Sequence, residues 1–353
     1  MLSQYDYTLP EELIAQEPLR NRSDSRLLVV NRSAQSFQHC SIRNLPEFVG
    51  PKDCLVLNNT RVLPARLIGW RTKTGAPWDG LFVQSGPEDC WQIIGKTQKI
   101  KVGETVLLHS PDGKNEIIIE FVMRNRDGTW MVRPIQDPAP QCVGSASSLL
   151  RQIGWTPIPP YIRKGKPRPY DEERYQTVYA EECLQGIGSV AAPTAGLHLT
   201  PELLHTIKER GTAVTPVTLH VGLGTFKPIV AENIEEHTMH AEWCSLPEAS
   251  ASVIEQRRKS GGRIVAVGTT AVRTLESAPV PMCAFEGQTS LFIRPPYSFR
   301  NVDVLLTNFH FPKSTLLILV RTFGGEELIR SAYDEAVRLG YRFFSYGDAM
   351  LIC

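Results

Sequence analysis

Short apolar runs with alternating polar positions characterise the segment from about residue 62 to residue 156. The run at 116–123 is rich in isoleucine, phenylalanine and valine, which β-strands favour. The sequences at 111–114 and 127–128 are typical turns, because their glycines accept a positive φ. Strands at this spacing without helices predict a small antiparallel β-barrel or sandwich.

A different pattern begins near Gly188, where helix-like and strand-like runs alternate. Thr200 before Pro201 is a typical helix start, and Gly211 is a typical stop. The same reasoning predicts helices at 201–210, 247–260 and 326–339, a helix beginning near Thr269, and strands at 263–267, 304–309 and 341–346. This alternation predicts an α/β layer with a mostly parallel sheet.

The apolar run at 54–58 resembles the later strands, yet it precedes the barrel-like segment. We therefore predict an α/β protein in which a small antiparallel β-barrel domain, residues 62–156, is inserted into a mostly parallel-sheet α/β domain, residues 1–61 and 157–353. A length of 353 residues suits two domains of ordinary size.

Composition narrows the class of protein further. The 38 basic and 37 acidic side chains give a net charge of +1, which excludes a generally polybasic nucleic-acid coat but allows a local basic patch. The 8 cysteines are scattered without a Cys-x-x-Cys pair, which argues against the usual zinc, iron–sulfur and dithiol motifs. With no signal-peptide pattern and no apolar run approaching a membrane span, we expect a cytoplasmic protein.

Small-residue loops beside histidines are the first candidates for chemistry, because the P-loop, the dinucleotide fingerprint and the Gly-x-Ser-x-Gly elbow are all missing from the sequence. The loop at 188–200 ends in a helix start, where backbone N–H groups can hold a carboxylate or a phosphate. Close packing of this loop on the sheet is the alternative interpretation.

A second corner of small residues lies at 268–276. Thr269 and Thr270 can cap a helix there, and Arg273 lies near its first turn, so the corner could hold an anionic group. The alternative is a plain N-cap with an Arg273–Glu276 pair at i, i+3.

Histidines in two segments supply titratable groups. His220 lies in one segment, and His237 and His240 share a face of the other if it is helical. With Glu236 or Glu242 they could bind zinc. Their spacing differs from the i, i+4 zinc pair and no distal ligand is evident, which favours hydrogen-bonding or acid–base roles.

The loop at 161–170 carries four cations between two tyrosines. These cations are Arg163, Lys164, Lys166 and Arg168. Such a cluster attracts phosphates, and a tyrosine can stack on a base, so we expect the loop to bind RNA. A solvated surface loop is the alternative interpretation.

Several longer segments point to one family. They are residues 5–10, 25–28, 60–66, 175–180, 192–198, 219–222, 224–226, 268–270, 273–277, 307–310 and 341–350. Through them, nearly the whole chain resembles the bacterial S-adenosylmethionine:tRNA ribosyltransferase-isomerases of the queuosine pathway. The chain departs from the family at Asn59, where aspartate is usual, and at Pro296, where glycine is usual. Neither an acid–base role at residue 59 nor a flexible turn at residue 296 is therefore expected.

The resemblance implies an α/β domain with an inserted β-barrel and a specific reaction. The ribosyl part of S-adenosylmethionine is transferred to, and isomerised on, 7-aminomethyl-7-deazaguanine at the wobble position of tRNA. The products are epoxyqueuosine-tRNA, adenine and methionine. The implied partners are tRNA and S-adenosylmethionine, the latter as a substrate, without a cofactor or a metal. We expect a cytoplasmic monomer with no membrane association.

This chemistry requires proton transfers, because the sulfonium acidifies the neighbouring C5′–H and adenine leaves more readily once protonated. Candidate catalytic residues are His198, His220, His240, Glu242 and Asp348. Of these we favour His220 or His240 for proton transfer. Candidate residues for binding S-adenosylmethionine are Thr194, Phe226, Thr269, Thr270, Arg273, Asn308 and Tyr346.

Within the candidate binding set, two groups have separate expected roles. Thr269, Thr270 and Arg273 are expected at the methionine carboxylate. Phe226 and Tyr346 are expected at the sulfonium, as cation–π partners.

Two other classes of protein compete with this interpretation. A non-catalytic RNA-binding module would explain the barrel and the basic loop, but not the histidines beside small-residue loops. A metal-dependent hydrolase would use His237 and His240 as ligands.

Overall fold

The structure is a computed structural model that describes residues 1–95, 100–135, 146–182, 188–222 and 232–353. The chain forms two compact units. The first comprises Met1–Thr60, Thr177–Glu181 and Ala192–Cys353, and the second comprises Arg61–Gln176 and Glu182–Ala191. The described residues contain no helix with the length and apolar content that a membrane crossing requires.

Strands and helices alternate as expected in the first unit, whereas strands dominate the second. The strands in the described residues are β1 (Arg26–Asn31), β2 (Ser36–Ser41), β3 (Cys54–Asn58), β4 (Arg66–Arg71), β5 (Pro77–Ser85), β6 (Trp91–Gly95), β7 (Thr105–His109), β8 (Glu116–Arg124), β9 (Trp130–Ile135), β10 (Ala213–Leu219), β11 (Glu242–Leu246), β12 (Ile264–Val267), β13 (Phe285–Thr289), β14 (Val304–Asn308) and β15 (Ala349–Ile352). The α-helices there are α1 (Leu45–Phe48), α2 (Ala146–Ile153), α3 (Asp171–Arg174), α4 (Pro201–Glu209), α5 (Glu248–Lys259), α6 (Thr269–Ser277), α7 (Thr315–Gly324) and α8 (Glu326–Arg338).

The first unit is built on a nine-stranded sheet in the order β13-β11-β10-β3-β12-β14-β15-β1-β2. Its centre is parallel, because β10, β3, β12 and β14 run in one direction. Every residue of β3, β12 and β14 is buried, as expected when helices cover both faces of a parallel sheet. Antiparallel strands extend both sides. The predicted α/β class is confirmed.

Local signals explain where the helices of this unit begin. The Thr200 hydroxyl accepts a hydrogen bond from the backbone N–H of Leu203 at 3.2 Å, and Pro201 occupies the first turn. Together they begin α4 as the sequence indicates. Buried Leu203, Leu204 and Ile207 on this helix pack into the apolar core beneath the sheet.

The predicted strand at 341–346 is wrong. Phe343 makes only an isolated bridge with Ile14, and Phe344 adopts a positive φ of 68°. The backbone then turns, with the Gly347 N–H donating to the Phe344 carbonyl at 2.9 Å, and β15 begins only at Ala349. The aromatic rings of this segment are buried in the core. A periodicity argument does not distinguish such a segment from a buried strand.

The second unit contains a closed antiparallel barrel in the order β4-β5-β6-β9-β8-β7. Buried and partly exposed residues alternate along β5 and β8, as the sequence pattern predicted. Perpendicular aromatic pairs fill the interior, among them Phe121 with Trp130 at 5.2 Å between ring centroids. The inserted antiparallel barrel is therefore confirmed.

This unit extends beyond the segment 62–156 that the sequence assigned to the barrel domain. The Arg66 and Trp155 backbones exchange hydrogen bonds of 3.0 and 2.8 Å. The Gln176 side chain accepts from the Val62 N–H at 3.0 Å, and Leu63 pairs with the Ser189 carbonyl. These contacts hold residues 157–176 and the described residues 188–191 against the barrel.

Candidate active site

Most of the candidate residues of the first unit gather at one edge of its sheet. The central strands are parallel, so their carboxyl ends meet there, and the flanking antiparallel strands β11 and β15 begin there. The residues at this edge are Asn58, His220, Glu242, Gly268, Asn308 and Ala349. Ligands of α/β sheets bind outside the carboxyl ends of the strands, so this edge is the candidate active site.

Asn58 is the polar residue around which the middle of the edge is organised. Its side chain is fully buried, and Oδ1 accepts from the N–H groups of Thr60 and Leu219, both at 3.1 Å. Nδ2 donates to the Leu219 carbonyl at 3.1 Å and to the Thr270 hydroxyl at 3.0 Å. Asn58 therefore links β3, β10 and α6. Sequence reasoning missed it, although a polar residue that ends an apolar strand was a usable signal.

His220 follows β10 and lies beside this network. Its Nδ1 is 2.8 Å from the Thr60 hydroxyl, and its ring stacks on Trp243 with centroids 4.9 Å apart. Burial lowers the pKa of His220, so the imidazole is neutral at pH 7. A neutral, oriented imidazole at a ligand-binding edge suits proton transfer.

The corner between β12 and α6 carries the predicted Thr269, Thr270 and Arg273. Gly268 has a φ of 89°, which a side chain would oppose, and this conformation turns the chain from the strand into the helix. Thr269 begins α6, as predicted. The threonines do not cap the helix as predicted, because Gly268 is the N-cap residue and no side chain accepts a capping hydrogen bond there. The Thr270 hydroxyl instead accepts from Asn58 Nδ2.

Arg273 is held in a buried ion pair with Glu242. The Arg273 Nε also donates to the Leu291 carbonyl at 3.1 Å, and Glu242 Oε1 accepts from the Gly222 N–H at 2.9 Å. The alternative Arg273–Glu276 pair is not formed, because the Glu276 carboxylate accepts from the N–H groups of Arg300 and Asn301. The pair joins β11, α6 and residue 222.

Thr194, His198 and Asn308 come together at the end of β14. The Thr194 hydroxyl donates to Asn308 Oδ1 at 2.9 Å, and Asn308 Nδ2 lies 3.1 Å from His198 Nε2. Asn308 Nδ2 also donates to the Phe344 carbonyl at 3.1 Å. All three side chains were predicted from the sequence to lie at the site. Burial, assisted by the charges of Arg342 and Arg22, lowers the pKa of His198 to about 4.

His310 is a residue of this edge that sequence reasoning missed, although it ends the segment 307–310 that resembles the family. Its Nε2 lies 2.8 Å from the Thr307 hydroxyl, and its backbone N–H donates to Tyr333 at 2.9 Å. Burial lowers the pKa of His310 to about 3. It is therefore a second neutral imidazole near the end of β14.

Asp348 and Tyr346 lie in the turn that precedes β15. The Asp348 carboxylate accepts from Arg26 through the backbone N–H at 2.9 Å and through Nε at 3.0 Å, and from the Arg342 N–H at 2.8 Å. It thus ties the start of β1 to this turn. Tyr346 is buried.

His240 is exposed, and the helical turn before it, Ile234–Glu236, has ended by His237. The two histidines therefore do not share a helical face. In the part of the chain that the structure describes, no group of three or more His, Cys, Asp and Glu side chains could hold a metal ion. The predicted sulfonium partner Phe226 lies outside the described residues.

Asn59, at the first departure from the family pattern, is bound on both sides of its amide. Nδ2 donates to Glu181 Oε2 at 2.9 Å, and Oδ1 accepts from the Thr218 hydroxyl at 2.7 Å. The Glu181 N–H also donates to the Asn59 carbonyl at 2.9 Å. At the second departure, the Pro295–Pro296 bond is cis.

The basic loop belongs to the second unit. Arg163 forms an ion pair with buried Asp171, which also accepts from the Arg168 N–H at 2.7 Å. Lys164, Lys166 and Arg168 are exposed. The loop therefore presents three of its four predicted phosphate-binding cations to solvent, while Arg163 holds its shape.

Comparison with known proteins shows similarity over nearly the whole length of the chain. A family model described as "Queuosine biosynthesis protein" matches residues 2–352. The chain is similar to proteins named S-adenosylmethionine:tRNA ribosyltransferase-isomerase from Natranaerobius thermophilus (46% identity) and Thermotoga maritima (45% identity), with 99% of each chain covered. A relative with the same name from Staphylococcus saprophyticus is 44% identical over 99% of this chain and 98% of its own.

A solved structure is also similar to this one. It is the crystal structure of S-adenosylmethionine tRNA ribosyltransferase from Thermotoga maritima, with 35% identity and a TM-score of 0.55. The alignment covers 99% of this chain and 100% of that one. On the whole-length family match and the curated relatives, this chain belongs to the queuosine biosynthesis protein family.

Proposed function

We propose that this protein transfers and isomerises the ribosyl part of S-adenosylmethionine onto 7-aminomethyl-7-deazaguanine at the wobble position of tRNA. The products are epoxyqueuosine-tRNA, adenine and methionine. The observation that carries this proposal is identity of 44–46% to proteins named for this activity, over 98–99% of both chains. The collection of neutral imidazoles and hydroxyls at one sheet edge agrees with a reaction built on proton transfers.

The proposed proton-transfer group is His220, with His240 as the second candidate. His220 is neutral at pH 7 and is oriented by Thr60 and Trp243, whereas His240 is exposed. An acceptor for the C5′ proton must be unprotonated before it acts. Replacing the acting histidine with alanine should lower turnover by about 10²-fold or more. If both single variants keep wild-type turnover, neither histidine has this role.

Those proposed contacts to S-adenosylmethionine that fall within the described residues lie along the sheet edge. Thr269 and Thr270 supply hydroxyl groups, and Tyr346 and Phe226 are proposed for the sulfonium. Thr194 and Asn308 are proposed to take part in binding through His198, which their hydrogen bonds orient. Arg273 acts through Glu242, whose carboxylate holds the Gly222 N–H. Glu242 and Asp348 are bound by arginines, which favours framework roles over proton transfer.

The proposed tRNA contact of the second unit is the basic loop. Lys164, Lys166 and Arg168 are exposed and are proposed to contact phosphates, while the Arg163–Asp171 pair orients them. We further propose a cytoplasmic monomer that needs no cofactor or metal beyond its two substrates. Elemental analysis and turnover after treatment with a chelator test the last point.

The decisive experiment measures free adenine and methionine released from S-adenosylmethionine. We expect equal amounts of both with tRNA that carries the 7-deazaguanine precursor. Matched tRNA with guanine at the wobble position is the control and should give neither product. Release without precursor-bearing tRNA, or no release with it, would overturn the proposal.

A further inference from the structure

The Asn308 amide has one orientation that satisfies its neighbours. The Phe344 carbonyl can only accept a hydrogen bond, so Asn308 Nδ2 faces it at 3.1 Å, and Oδ1 accepts from Thr194 at 2.9 Å. The same Nδ2 lies 3.1 Å from His198 Nε2, which must therefore be an acceptor. In a neutral imidazole with Nε2 unprotonated, the proton is on Nδ1.

This assignment changes what His198 can do. Its Nε2 lone pair is already engaged by Asn308, and its Nδ1 carries a hydrogen. Neither ring nitrogen is then a ready acceptor for a substrate proton. The ring instead offers one neutral N–H donor, and among the described residues Nδ1 has no hydrogen-bond partner.

Two arginines act electrostatically on His198, and both have hydrogen bonds that fix their position. The Arg22 guanidinium donates to the carbonyl of Leu197, the residue before His198, at 3.3 Å. Arg342 donates through Nη2 to the Glu17 carbonyl, and its buried Nη1 makes no hydrogen bond to any described residue. Both guanidinium charges oppose protonation of His198. The negative charge of the Asp348 carboxylate partly offsets the positive charge of Arg342.

The charges of S-adenosylmethionine decide which of its groups fits this place. The molecule carries a sulfonium, an ammonium and a single anionic group, the carboxylate. Two guanidiniums repel the first two groups, whereas a carboxylate accepts charge-assisted hydrogen bonds from a guanidinium and a further bond from a neutral N–H. An RNA phosphate is the other anion that this reaction would bring to the protein.

We propose that His198 donates its Nδ1–H to the carboxylate of S-adenosylmethionine beside Arg342, and that Asn308 and Thr194 are positioning residues that hold the ring in this tautomer. The proposal rests on the proposed function, because that function supplies the ligand. It assigns the carboxylate to the end of β14 instead of to Arg273, whose guanidinium is paired with Glu242.

Decarboxylated S-adenosylmethionine tests the assignment, because it keeps the sulfonium and the amine and lacks the carboxylate. The readout is the ratio of kcat/KM values for adenine release from the two substrates with precursor-bearing tRNA. Wild type should prefer S-adenosylmethionine by about 10- to 100-fold, the range for charge-assisted hydrogen bonds. His198→Ala and Arg342→Met should lose most of this preference, and exposed Lys259→Gln should keep it.

Two conservative variants separate the ring nitrogens. In an asparagine at residue 198, the side-chain amide nitrogen lies near the position of the histidine Nδ1. In a glutamine it lies near the position of Nε2. His198→Asn should therefore retain more of the preference than His198→Gln. An unchanged preference in both His198→Ala and Arg342→Met would overturn the assignment, and a raised KM for tRNA in the same variants would identify an RNA phosphate instead. A wild type that releases no adenine would overturn the proposed function.

Nitrogen-15 NMR of the intact protein reads the tautomer without relying on activity. The His198 signals are identified by their loss in His198→Asn. We expect protonated Nδ1 and unprotonated Nε2 at neutral pH. Asn308→Asp places an acceptor against Nε2 and should move the proton there. Protonated Nε2 in the wild type would overturn the donor role, whatever the activity measurements give.

Discussion

The two ends of the sheet edge in the first unit differ in the charge state of their buried side chains. Beside β11, Glu242 and Arg273 neutralise each other in a buried pair that also binds backbone groups. Beside β14, burial keeps His198 and His310 neutral, and the guanidinium charges of Arg22 and Arg342 act on His198. A buried pair whose charges are matched has little to offer an ion, so we interpret the β11 end as framework. The β14 end has hydrogen-bond donors and positive charge that can bind an anionic ligand.

Breaking the ion pair should have the largest effect on stability. Glu242→Gln leaves the Arg273 charge buried without its partner, and we expect a loss of about 3–5 kcal/mol in the free energy of unfolding. Urea denaturation measures it, with exposed Glu286→Gln as the matched control. Replacing both residues, Glu242→Leu with Arg273→Met, should recover much of the loss. Equal stability of Glu242→Gln and the control would contradict the framework interpretation.

The β14 end should respond to acid instead. The pKa of His198 is about 4 in the folded protein and about 6.5 when unfolded, so the unfolded chain binds the proton first. Its contribution to stability is complete above pH 6.5 and is lost as the pH falls toward 4, by about 3 kcal/mol.

His198→Asn removes this titration, so the variant should lose less stability than wild type between pH 7 and pH 4.5. His310, with a pKa of about 3, adds a similar dependence that the variant retains. Urea midpoints at the two pH values measure the difference. Parallel stability curves for wild type and His198→Asn would show that His198 is not kept neutral by the fold.

A smaller effect should sharpen the role of the middle of the edge. Thr60→Val removes the hydroxyl that lies 2.8 Å from His220 Nδ1. One hydrogen bond contributes about 0.5–1.5 kcal/mol, so turnover should fall by about two- to tenfold while the fold is kept. Exposed Thr206→Val is the control. Wild-type turnover of Thr60→Val would mean that this contact does not orient His220 for the reaction.

The smallest effects are expected from the three exposed cations of the basic loop. Lys164→Gln, Lys166→Gln and Arg168→Gln should each weaken tRNA binding and reduce its salt slope by about 1. Arg163→Gln should act differently, because it leaves the buried Asp171 carboxylate unpaired and so lowers stability as well. Binding titrations at several salt concentrations measure the slope. An unchanged slope in all three exposed-cation variants would exclude the loop from the RNA contact.

Sequence reasoning succeeded where the deciding interaction was local. Thr200 and Pro201 begin α4 through bonds to neighbouring residues, and the alternation along β5 and β8 reports a barrel interior. It failed at 341–346, because burial of aromatic rings looks the same in a strand and in an irregular segment. It also missed Asn58 as the centre of the edge, since its partners at 219 and 270 are distant in the chain.

The candidate site shows the same limit. Most of its residues were identified by type and by motif, but their roles depend on which neighbour each side chain meets. The sequence position of Arg273 suits a ligand carboxylate, but in the fold its guanidinium is paired with Glu242. The orientation of Asn308 likewise depends on the carbonyl of Phe344, 36 residues away. Pairings of this kind are set by the tertiary fold and not by periodicity.

The hydrogen bonds between Asn59 and Glu181 have a consequence for how freely the inserted barrel can vary. They join the chain close to where it leaves the first unit and where it first returns, on either side of Arg61–Gln176 of the second unit. A domain whose chain is joined at such a point can keep its own topology while the segment inserted there varies. The α/β unit can therefore tolerate changes of length and sequence in the inserted barrel as long as the contact between Asn59 and Glu181 is kept.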